Sequence, residues 1–135
     1  MIWKVIKQVI CVRKDLRMRQ GKTAAQCAHA SMKVILDLMS KADYRTTSNW
    51  SLAMFLADPL YKWLTGLFTK IVVYVNSEEE LLKIYTQAKN DNIISSLILD
   101  SGLTEFKGIP TYTCCAIGPD EEEKINKITG DLPLL

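Results

Sequence analysis

The chain is short of the residue types from which metal sites are built. It has one histidine, His29, and its four cysteines, Cys11, Cys27, Cys114 and Cys115, show no C-x-x-C spacing. A vicinal cysteine pair with one histidine is a poor zinc set, so no metal is expected and the thiols read as free, mostly buried groups of a reducing compartment. No apolar stretch reaches the roughly 20 residues of a membrane span, and the opening residues carry no cleavable signal pattern. The expectation is a cytoplasmic protein without a membrane partner. Internal repeats and low-complexity tracts are also missing. So is a phosphate-wrapping P-loop: Gly21-Lys22-Thr23 has the look of its end, but Leu16 stands where its first glycine belongs. Arg17-Met18-Arg19-Gln20 supplies no glycine either, which argues against a nucleotide triphosphatase.

What is present points to one globular domain spanning residues 1–135, with 48% hydrophobic residues to build a core without staples. The net charge of +2 conceals an asymmetry. Residues 1–41 carry +7 and residues 42–135 carry −5. The excess crowds into Arg13, Lys14, Arg17, Arg19 and Lys22, between a presumed first strand and the helix that follows. Such a cluster suits a polyanion, whose counterions it releases, or is simply a solvated loop.

Hydrophobic periodicity gives an alternating order. Strands are expected at Val5–Val12, Phe68–Val75, Ile94–Leu99 and Thr111–Ile117. Helices are expected from about Lys22 to Met39, at Asp58-Pro59 to Thr65, after Ser77 with Glu78-Glu79-Glu80 in the first turn, and from Asp120 to Ile128. Residues 41–67 are the least regular, an aromatic-rich, partly helical segment with Trp50, Phe55, Tyr61 and Trp63 expected to pack on the core. A β-α-β-α-β order implies parallel strands with right-handed crossovers, and ligands then collect at their carboxyl ends. That rim would hold the basic loop and Lys22 after the first strand, and Asp100-Ser101-Gly102-Leu103-Thr104 after the third.

The first long helix carries the most pointed signal. At 100° per residue Lys22, Gln26, His29 and Lys33 share an arc of about 60°. Ala24, Ala25, Cys27, Ala28, Ala30, Met32, Val34 and Ile35 occupy much of the rest. A helix this apolar is expected to be buried on most sides, with its polar stripe kept for structure or chemistry.

Val12-Arg13-Lys14-Asp15-Leu16-Arg17-Met18, Gly21-Lys22 and Ala24-Ala25-Gln26-Cys27-Ala28-His29-Ala30 resemble the signature of the type 2 peptidyl-tRNA hydrolases. Asp100, Gly102, Thr104, Ala116-Ile117-Gly118-Pro119 and Ile128-Thr129-Gly130 continue the match in order. The resemblance implies an α/β fold with a mixed four-stranded sheet and helices on both faces, often a homodimer. It also implies hydrolysis of the ester between a peptide and the 3′ end of tRNA, with no cofactor or metal.

On that reading Lys22, Gln26, His29, Asp100 and Thr104 form the catalytic set. Lys22 would face the oxyanion, Asp100 would orient or deprotonate water with Thr104 as relay, and Gln26 would hold the carbonyl or water. His29, two turns below Lys22, is either a participant or a packed support. Arg13, Lys14, Arg17, Arg19 and Lys33 would grip tRNA phosphates. Leu103, where many relatives carry arginine, and Asp131, in place of a usual histidine, depart from the pattern. Two other readings stay open: a module that binds RNA or protein without turnover, and a hydrolase of another acyl-tRNA or small ester.

Overall fold

A computed structural model describes residues 4–43 and 48–135. The chain runs β1 (Ile6–Arg13), α1 (Gln20–Leu38), β2 (Ser40–Asp43), β3 (Ser48–Ser51), α2 (Pro59–Thr65), β4 (Thr69–Val75), α3 (Glu78–Asn90), β5 (Ser95–Asp100), β6 (Thr111–Glu121) and α4 (Glu122–Thr129). Four strands form one sheet in the order β4-β1-β6-β5. β1 and β4 are parallel, with Ile10 opposite Val72, and β6 runs antiparallel to both β1 and β5. Three strands therefore point the same way, as crossover helices demand, and the sheet is mixed because β6 returns between two of them.

β1 is buried on both faces from Gln8 to Val12, which explains the apolar run Val9-Ile10-Cys11-Val12. Val9 and Cys11 pack with Val73, Leu81, Ile84, Ile117 and Ile125 under α3 and α4. Ile10 and Val12 pack with Ala30, Val34, Ile98 and Cys114 under α1. Helices thus cover both faces. Ser77 caps α3 by accepting from the Glu80 amide at 3.1 Å, and Glu78, Glu79 and Glu80 complement the helix dipole. Among the described residues no helix is long and apolar enough to cross a membrane.

Four features differ from the sequence expectation. Residues 40–51 are not merely irregular: Ser40–Asp43 pairs with Ser48–Ser51 as a small antiparallel sheet, while residues 44–47 lie outside the described residues. Its polar strands carry no apolar alternation, so periodicity could not find them. Of the aromatics in this segment, Trp63 is buried, donating from its indole to Thr69 O at 2.8 Å, whereas Trp50 and Phe55 stay exposed. Nor is α1 buried on most sides. Only Gln26, Ala30 and Val34 are buried, and Ala24, Ala25, Ala28 and Met32 face outward. An outer helix laid on one sheet face covers a single stripe, and here that stripe begins with a glutamine.

β6 also runs four residues past its expected end. A register shift between Lys7 and Val9 on β1 lets it pass through Gly118-Pro119. Proline is tolerated at such an irregularity. The buried Gln8 occupies the shift, donating to Gly118 O at 3.1 Å and accepting from the Ser31 hydroxyl at 2.6 Å.

Candidate active site

The carboxyl ends of β1 and β5 lie at one rim, where α1 begins. Lys22, in the first turn of α1, reaches across to Asp100, the last residue of β5. Its ammonium donates to Asp100 Oδ1 at 2.9 Å and to Thr104 Oγ1 at 3.0 Å. Gln26, one turn further along, donates to the same Asp100 oxygen at 3.1 Å. The other carboxylate oxygen accepts from the Gly102 amide at 2.9 Å. Lys22 and Asp100 are mostly enclosed, with side chains 15% and 12% exposed.

The loop that presents Thr104 depends on Gly102. This residue sits at φ +81°, and a Cβ there would stand 2.3 Å from the Ile109 carbonyl oxygen. The loop is closed by the Gly108 amide on Gly102 O at 2.9 Å, and Phe106 and Lys107 adopt left-handed backbone to make the return. Phe106 lies under the Lys22 ammonium, 5.9 Å from ring centroid to nitrogen.

The Lys22 hydrogen bond holds the Asp100 carboxyl below its usual range, with smaller help from the Gly102 amide and Gln26 and with burial opposing. Asp100 is therefore ionised at neutral pH and has most of its acceptor capacity occupied. Lys22 retains one N–H after its bonds to Asp100 and Thr104. Thr104 accepts from Lys22, so its own hydroxyl proton is free to turn toward a ligand.

Thr113, fully buried in β6, was not singled out from sequence. Its hydroxyl donates to Gln26 Oε1, which turns the Gln26 amide so that its NH₂ faces Asp100. The only trace in the sequence is a threonine at the head of the apolar run Cys114-Cys115-Ala116-Ile117. Thr113→Val keeps the shape but leaves Gln26 Oε1 without its partner. We expect a loss of about 1–3 kcal/mol in unfolding free energy, read by urea titration, with a fall in kcat rather than a rise in KM.

The remaining candidates are placed differently. His29 is exposed and makes no hydrogen bond or ion pair among the described residues, so it is not brought into the cluster. Lys33 pairs with Asp37 at 2.9 Å one turn along α1. Arg13 is largely buried and already engaged. It grips Asp15 through two nitrogens at 2.7 and 3.2 Å, donates to Tyr112 O at 3.1 Å and lies 3.8 Å from Glu78. It ties together the rim ends of β1, β6 and α3.

Lys14 lies over the Tyr74 ring at 4.3 Å. Arg17 ends the short turn Lys14–Leu16 in left-handed backbone, and the Arg19 side chain is 91% exposed, 3.8 Å from Glu105. The thiols fit no nucleophilic role: burial pushes Cys114 up to about 12 and raises Cys27. Cys115 is raised by its hydrogen bond to Cys11 and by burial.

A family model described as Peptidyl-tRNA hydrolase PTH2 matches residues 6–135. Curated relatives carry the name Peptidyl-tRNA hydrolase. One from Methanothermobacter thermautotrophicus is 42% identical over 130 residues, covering 96% of this chain and all of the relative. Another from Sulfurisphaera tokodaii is 43% identical over 129 residues, covering 96% of this chain and 98% of the relative. A third from Methanopyrus kandleri is 40% identical over 129 residues, with 96% and 97% covered.

Proposed function

The chain belongs to the peptidyl-tRNA hydrolase family PTH2, and from that premise we propose that Lys22, Gln26, Asp100 and Thr104 perform its reaction. It hydrolyses the ester joining a peptide to the 3′ end of tRNA. Water adds to the ester carbonyl, the bond to the ribose 3′ oxygen breaks, and a free peptide carboxylate and a tRNA hydroxyl leave.

The observation that carries the site reading is the Lys22 ammonium held between Asp100 and Thr104 beside the free amides of a helix N-terminus. An ester passes through a tetrahedral oxyanion, which preorganised donors stabilise. The remaining Lys22 N–H and the Thr104 hydroxyl supply two such donors. Asp100 is a weak base because its carboxyl is held low, which favours its role in orienting Lys22 over removing a proton from water. Gln26 and Thr113 keep Asp100 in place. His29 has no part in this arrangement.

Release of peptide from a purified peptidyl-tRNA tests the reading, comparing the wild type with Lys22→Ala and Asp100→Asn. Turnover by the wild type and its loss in both variants are expected. Binding of RNA without turnover by the wild type would instead support a non-catalytic module, and equal turnover by all three would move the site elsewhere.

The tRNA grip falls to the basic residues that the fold leaves exposed in the β1–α1 connection, Lys14, Arg17 and Arg19. The double substitution Arg17→Ala with Arg19→Ala is expected to raise KM for peptidyl-tRNA and flatten the plot of log affinity against log salt by about 1 to 2 units of slope. A slope equal to the wild type's would remove these residues from the RNA contact. Arg13→Ala should instead show its main effect in thermal stability, because its partners are within the fold.

A further inference from the structure

The two edges of the main sheet are treated differently. On the β4 side the chain closes its own edge: Leu134 bridges Val73, Tyr74 N donates to Pro133 O and Leu135 N donates to Val72 O, both at 3.1 Å. On the β5 side no strand among the described residues pairs with the outer edge. An open edge is a template for another extended chain, and folds normally blunt it. Here the open edge ends at Asp100, the residue that holds Lys22.

The direction of the exposed backbone groups follows from two bonds. Ile94 O accepts from Gly118 N in β6, whereas Ser95 O accepts from the Lys89 ammonium on the other side. In an antiparallel ladder these directions alternate, so Leu97 presents both its N–H and its C=O outward. Leu99, 55% exposed, stands nearer the rim.

We propose that the free edge of β5 is the subsite for the peptide part of the substrate, which adds to the sheet as a fifth strand parallel to β5 with its carboxyl end at Asp100. This rests on the hydrolase reading. Its support is continuity: the strand that ends in the reacting cluster is the one left unpaired. The chemistry agrees. Peptides released from tRNA share no side-chain sequence, and main-chain bonding to a sheet edge recognises what they do share. Because the ester lies at the carboxyl end of the peptide and β5 also points to the rim, the peptide must run parallel to it.

Parallel pairing makes a sharp demand. Successive amides of the bound peptide point alternately at β5 and away from it. The test uses the unaltered enzyme and tRNA esterified with acetylated pentapeptides, each with one amide N-methylated in turn. We expect kcat/KM to fall about three- to tenfold at every second position and to change little at the positions between. Shortening the peptide should lower kcat/KM in steps until a single acylated residue remains. Equal rates across the scan, or equal loss at every position, would overturn the subsite while leaving the hydrolase intact. Failure of the unmethylated ester to react would overturn the hydrolase reading and the subsite with it. A second copy of the chain is the competing occupant. Insensitivity to methylation, together with a dimer that Leu97→Pro converts to monomer in sedimentation, would assign the edge to self-association and overturn the proposal.

Discussion

Lys22→Ala is expected to lower kcat/KM for peptidyl-tRNA by about 10²–10³-fold, the range seen when one preorganised oxyanion donor is removed. The fall should lie in kcat, since the missing donor acts on charge that develops only in the transition state. Stability should change less than activity. Removing the ammonium leaves Asp100 with two donor partners, Gln26 and the Gly102 amide, at a position still 12% open to water. Lys22→Arg is a stringent companion. Guanidinium keeps the charge but is planar, and it must reach both Asp100 and Thr104 from the same backbone position. Steady-state kinetics on a purified peptidyl-tRNA measures both variants. A fall confined to KM would show that Lys22 binds substrate uniformly and does not act on the oxyanion.

Asp100→Asn should cost about 10²-fold in kcat, for a reason visible in its hydrogen bonds. The carboxylate accepts on both oxygens: Lys22 and Gln26 on one, the Gly102 amide on the other. Asparagine has one acceptor oxygen, so its NH₂ must face either Lys22 and Gln26 or the Gly102 amide, donor against donor. The first choice misplaces the ammonium, and the second strains the loop that carries Thr104. An unsatisfied buried donor adds about 1–3 kcal/mol of destabilisation.

The pH dependence has a definite sign. Asp100 is depressed in the folded protein by its bond to Lys22. Its contribution to stability is thus complete above the unfolded carboxyl's value of about 3.9 and is lost as pH falls through the lower, folded value. Wild-type stability should therefore drop more steeply below pH 4 than that of Asp100→Asn, measured by thermal melts from pH 6 to pH 2. Parallel curves would show that the pair is not ionised as described.

The elements were legible where burial is simple. β1 and β4 announce themselves by apolar runs because both faces of the sheet are covered, and Ser77 with its three glutamates marks the start of α3 through capping and dipole. The hairpin at 40–51 left no periodicity to read. In α1, composition misled: an alanine-rich helix reads as buried, yet Ala24, Ala25 and Ala28 are exposed while Gln26 is buried. Polar residues go inside when the layer beneath offers them partners, and Thr113 and Asp100 do so from strands far away in the chain.

That Lys22 and Gln26 meet Asp100 and Thr104 at one rim was legible too, from their order along the chain and the rule that polar clusters gather at strand carboxyl ends. By itself the sequence determined the alternating elements, the basic character of the β1–α1 connection and the kinship with the hydrolases. These rest on local periodicity, charge and ordered motifs. Only the tertiary structure decided that Arg13 is spent inside the fold, that His29 stands outside the cluster, that Thr113 supports it, and that β5 is the edge left open. These depend largely on which residues meet across the fold, as Arg13 meets Tyr112 and Gln26 meets Thr113, or on which strand ends the sheet. Such pairings arise from packing, and no local pattern encodes them.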